Sequence, residues 1–157
     1  MLEQWSDFFV ASAGAAAGLA GLIIVAMSVN IEVIVSIPSM PSRAGSTIAN
    51  LVLIVVASIA GLMAALPVTA FGIIVLAGGL GCLGLAIDST VQIVRKSGLS
   101  GLVRGAVGVL PGIGFVVGGA LLVVGLEPGL YWVSAGILLA FVGSVLNAWV
   151  LLVEIRR

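Results

Sequence analysis

The chain contains no histidine, one cysteine and one lysine, and only 8% of its 157 residues are charged. Each scarcity excludes chemistry. Without histidine there is no Ser-His or Cys-His catalysis, no histidine proton relay and none of the common zinc sites. Cys82 alone can close no intramolecular disulfide and cannot supply a four-cysteine metal site. It lies in an apolar stretch and reads as a small packing residue. Lys96, the one lysine, stands outside every apolar stretch, so a Ser-Lys pair inside a membrane is also excluded. Neither an enzyme nor a cofactor is expected. Soluble domains carry roughly a quarter charged residues. This chain is 62% hydrophobic with mean hydropathy +1.40, which leaves no water-facing surface and makes lipid its solvent. The formal net charge is zero and no basic run occurs, so nucleic acid is not an expected partner.

What is present is apolar sequence of spanning length. A helix needs about 20 apolar residues to cross the hydrocarbon core. Five stretches qualify: Phe8 to Asn30, Thr47 to Leu66, Val68 to Ile87, Gly105 to Leu126, and Leu130 to Val153. They are uniformly apolar rather than alternating, which favours helices over strands, and helices satisfy their own backbone in lipid. The expected fold class is therefore all-α, a bundle of five transmembrane helices in one integral membrane domain, residues 1–157. Thr47 to Ile87 as a single helix would run about 60 Å, twice the hydrocarbon thickness. Pro67 is expected to break it with a tight turn. The first stretch lacks a basic leader, since Glu3 and Asp7 are acidic, and it is expected to be retained rather than cleaved.

Charge predicts the orientation. Five crossings put the start of the chain, the Pro67 turn and the Glu127-Pro128-Gly129 turn on one side, with no Lys or Arg among them. Arg43, Arg95, Lys96, Arg104, Arg156 and Arg157 all fall on the other. Positive residues mark the cytoplasmic side, so the N-terminus is expected outside and the C-terminus inside the cell membrane. Four crossings would still leave five of the six cations on one side, and span length decides against them. Trp5, Tyr131 and Trp132 would lie at the outer interface and Trp149 near the inner one, where such rings prefer to sit.

The segment Ile37 to Ser46 reads as an irregular loop with Ser46 a helix cap. The third span is expected to continue through Ser89, Thr90 and Gln92 and to stop near Gly98. That brings Arg95 and Lys96, with Arg104 beyond, to headgroup height, either as snorkelling topology anchors or as a site for an anionic lipid. The fourth span holds two small-xxx-small pairs, Gly108 with Gly112 and Gly114 with Gly118, which let helix backbones approach closely. Within it, Pro111, Gly112 and Gly114 suggest a helix break, of the kind that lines ion sites in some transporters, or a packed kink. Asn30, Asn50 and Asn147 are placed to hydrogen-bond across helices near the inner side. Ser58, Ser134 and Ser144 are expected to bond to their own backbone.

One constellation stands out. Alternating steps of four and three along the first helix give Asp7, Ala11, Gly14, Gly18, Gly21, Val25, Ser28 and Glu32. They form one helix face, mostly small, with an acid at each end. Such a face either packs closely against another helix or, repeated around an axis in a homo-oligomer, lines a passage whose carboxylates gather cations at both mouths. No ionisable residue lies at the middle of a span, which argues against proton pumping or coupled transport.

The opening WSDFFVASAGAAAGLAGL, followed by Ser28-Val29-Asn30 and Pro41-Ser42-Arg43-Ala44, resembles a group of small uncharacterised bacterial multi-pass proteins of the inner membrane. The likeness covers the first third of the chain and implies no activity. The expected function is a homo-oligomeric pore for small ions or solutes without energy coupling. The alternative is a structural or accessory subunit packed on a larger membrane complex. Partners would be membrane lipids, further copies of the chain or other membrane subunits.

Overall fold

The computed structural model describes residues 1–29, 31–36, 40–97 and 99–153, without the side chains of 33–35, 40, 42–43, 92–93, 95–97, 99–107 and 150–153. The described chain is all helix and turn. A short 3-10 helix, Leu2–Trp5, leads into α1, Ser6–Val29. Then follow the six-residue α2, Ile31–Ser36, and the long helices α3, Met40–Gly61, α4, Val68–Ser97, α5, Leu99–Val123, and α6, Gly129–Val153. Four of these are long and apolar enough to cross a membrane, and the described apolar part of α5, Gly108–Val123, is a shorter fifth. The chain is an all-α protein of membrane-spanning character.

The boundaries differ from expectation for local reasons. α3 starts at Met40, so Met40 to Ser46 is helix rather than loop and Ser46 is not a cap. Pro41 occupies the first turn, where its missing N–H has no helical partner to lose. The expected loop residues 37–39 lie outside the described residues. At its other end α3 stops at Gly61, and an irregular turn of residues 62–67 replaces the tight turn expected at Pro67. Pro67 instead opens α4, its carbonyl accepting from the Phe71 N–H at 3.0 Å. α4 runs to Ser97, in line with the expected extension. α5 begins at Leu99, six residues before the expected Gly105, and ends in a Schellman cap. There the Leu126 N–H donates to Leu121 O at 2.9 Å and the Gly125 N–H to Leu122 O at 3.0 Å. Gly125 takes φ +83°, which a side chain would strain.

Long helices consecutive in the chain run antiparallel, while α1 and α6 start at the same end. α4 and α5 make the most extensive contact, then α5 with α6 and α1 with α3. Contacts of α3 with α4 and with α6 close a ring of four, and α1 lies outside it against α3 and α6. The core between them holds Phe9, Phe71, Phe115, Ile23, Leu51, Ile54, Leu122 and Ile137, all nearly free of exposure. In lipid these side chains hold the bundle by packing, since lipid tails are as apolar as they are. Contacts of Phe9 with Gly61 and Phe71, and of Trp5 with Tyr131, gather residues 1–5, 62–67 and 124–128 at one end. The bond from the Asn147 side-chain N–H to Thr47 Oγ1, 3.0 Å, lies towards the other.

Candidate functional site

Four α1 residues are buried against the bundle: Phe9, Ser12, Ala16 and Ile23, spaced three, four and seven apart. Phe9 is the bulkiest of them. Its ring stands edge-on to Phe71 with centroids 5.7 Å apart and lies where a Cβ on Gly61 would come within 2.6 Å of it. The opposite face is the small one. Asp7, Ala11, Gly14, Gly18, Gly21, Val25 and Ser28 are all exposed, as is Glu32 on α2. Nothing lies within 4 Å of a Cβ built at Gly14, Gly18 or Gly21. The chain's own helices therefore do not fill this groove, and the intramolecular packing face lies on the far side of α1.

The groove has walls. Val10 and Ile24 flank it on one side, Leu22 and Val29 on the other, each at least half exposed. Asp7 to Ser28 is 21 residue steps, about 32 Å at 1.5 Å per residue, close to the hydrocarbon thickness. Ser28 turns its hydroxyl back onto the Ile24 carbonyl at 2.9 Å, so it projects little polarity into the groove. α1 is also the least covered span. Only 22% of its most apolar stretch is buried, against 50% in α3.

The remaining predicted residues fall elsewhere. Pro111 sits inside an unbroken α5, so the suggested break is not formed. Gly112 and Gly114 serve close packing instead. A Cβ at Gly114 would come 2.8 Å from the Cα of Gly136 on α6, and one at Gly112 would meet Leu83 of α4 at 3.0 Å. Gly118 packs on Gly129 and Val133, and Gly119 on Leu76. α5 thus presents small residues to α4 and to α6 on two faces. The backbones of Arg95 and Lys96 end α4 and that of Arg104 lies near the start of α5; their side chains lie outside the described residues, as does Asn30. Asn147 makes the expected bond across helices, and Ser134 bonds its own backbone through the Tyr131 carbonyl at 2.9 Å. Ser58 departs from expectation: its hydroxyl is fully buried with no hydrogen-bond partner.

Two features escaped the sequence. One is the pairing of Thr47 with Asn147, a hundred residues apart, which no local pattern encodes. The other is a crevice of about 450 Å³ between the N-terminal segment and the 62–67 turn. Among the described residues no three metal-ligating side chains gather. Comparison with protein-family models, with curated proteins and with solved structures finds no match to this chain.

Proposed function

We propose that the chain crosses the cell membrane five times, with residues 1–5 outside and the C-terminus inside. On this reading several copies assemble into a pore that passes small ions or solutes without energy coupling, and the small face of α1 turns toward the shared axis. The observation that carries the reading is the empty groove along α1, exposed from Asp7 to Ser28. Small residues on a membrane helix favour helix contact or a water-filled passage, whereas lipid-facing surface is commonly bulky. A path between copies also fits the solid interior of one chain, where Phe9, Phe71, Phe115 and Leu122 are fully buried. Asp7 and Glu32 would then form carboxylate rings at the two mouths, favouring cations.

The deciding measurements are the native mass of the particle in mild detergent and ion flux after reconstitution. A symmetric homo-oligomer with cation flux supports the pore. Asp7→Asn and Glu32→Gln should then lower cation selectivity, most clearly near 0.01 M salt, where the field of a carboxylate reaches about 30 Å before it is screened. A monomer that copurifies with other membrane chains would instead make α1 the docking face of an accessory subunit. Flux indifferent to both substitutions would move the path away from α1.

A further inference from the structure

Two of the chain's three asparagines lie along one seam of the ring, at the end away from the 62–67 turn. There the Asn147 amide donates to Thr47 Oγ1 across α6 and α3 at 3.0 Å. Asn50 follows Thr47 by three residues and Ser144 precedes Asn147 by three. α3 and α6 are antiparallel, so Asn50 and Ser144 share a level about 4.5 Å deeper, at 1.5 Å per residue. Thr47, Asn50 and Ser144 are all buried. One turn deeper again stand Ile54 on α3 and Ala140 on α6, both buried and apolar. Among the described residues α3 also touches α6 least of the four contacts that close the ring, whereas α4, α5 and α6 are locked together through Gly79, Gly112, Gly114 and Gly118.

We propose that this seam is a hydrated recess: water enters from the Asn147 end as far as Asn50 and Ser144, with the Thr47–Asn147 pair as its latch and Ile54 and Ala140 as its floor. A buried serine can bond back to its own helix, but an asparagine amide brings two N–H donors and a carbonyl acceptor that its own helix does not satisfy. Lipid offers these groups nothing, and burying them unbonded is costly. Water is the small partner that supplies both donors and acceptors at that depth. The sparse α3–α6 side is where the ring can part to admit it, since parting a glycine-packed side would separate close backbones. The other half of the bundle offers no such route, because Phe9, Phe71, Phe115 and Leu122 fill its interior. The recess lies within a single chain and holds whether or not copies assemble into a pore.

The test uses full-length protein carrying Cys82→Ala in nanodiscs of phosphatidylcholine, which leave both faces open. The probe is the silver ion, small, charged and thiol-seeking, in chloride-free buffer. Ser144→Cys and Ser58→Cys make the same replacement at two buried positions, one in the recess and one on α3 beyond its floor. The thiol at 144 should react about tenfold faster or more, since the apolar turn beyond it excludes an ion. Thr47→Val should speed reaction at 144 about threefold, the weight of an average polar pair between membrane helices, and leave position 58 unchanged. Asn50→Leu should slow reaction at 144, a direction that loosening of the fold would not give. No reaction at 144, equal rates at 144 and 58, or a rate at 144 indifferent to Asn50→Leu would overturn the recess. Thr47→Val without effect at 144, or speeding both positions alike, would overturn the latch.

Discussion

Gly18 and Gly118 are both small residues on apolar helices, yet their surroundings are opposite. A Cβ on Gly118 would lie 2.7 Å from the Val133 side chain and 2.8 Å from the Gly129 carbonyl, so backbone must move to admit it. Around Gly18 there is open space. Gly118→Leu should therefore cost at least the roughly 1–3 kcal/mol typical of overpacking, read as a lower unfolding temperature of the protein in detergent. Gly18→Leu should leave the unfolding of a single chain unchanged and reduce the native mass of any assembly built on α1. If Gly18→Leu unfolds early even as a monomer, the groove is occupied by the chain itself.

At the scale of elements, the α3–α6 contact that closes the ring includes the bond between Asn147 and Thr47. A polar pair between membrane helices contributes about 0.6 kcal/mol on average and up to about 1.7. Thr47→Val keeps the shape and removes this acceptor from the Asn147 amide. A loss of roughly 0.5–1.5 kcal/mol is expected in reversible unfolding, with Asn147→Leu close to Thr47→Val and the double variant no worse than either alone. Additive losses would show that the two side chains act separately. α5 illustrates why a pattern was legible while its use was not. Its glycines and Pro111 stand out in the sequence as a place where a helix can break. In the folded chain Gly112 and Gly119 receive α4 while Gly114 and Gly118 receive α6, and the helix runs unbroken through Pro111 between them.

For the molecule as a whole, the structure gathers residues 1–5, 62–67 and 124–128 at one end, so one labelling experiment tests the orientation. In a Cys82→Ala background, cysteines replacing Ser6 and Glu127 should react from outside intact cells with an impermeant thiol reagent. Those replacing Ser97 and Arg157 should not. Glu127 is preferred to Gly129, where a Cβ would lie 2.6 Å from Leu122. Reaction at position 97 from outside would reverse or abolish the five-crossing scheme.

The helical class and the presence of several long apolar helices could be read from the sequence, because both depend on run length and composition along the chain. The end of α4 at Ser97 could be read too, from the glycine that follows it in the sequence. The start of α3 could not: the prolines and serines before Thr47 suggest a loop, and tolerance of Pro41 in a first turn depends on where the helix begins. The small face of α1 was visible as a pattern, but its period does not say which side meets the protein. That was decided by Phe9, whose ring needs Gly61 and Phe71 to pack against, residues more than fifty positions away. Burying Phe9, Ser12, Ala16 and Ile23 turns Gly14, Gly18 and Gly21 outward, since a helix can seat only one side in the groove between two others.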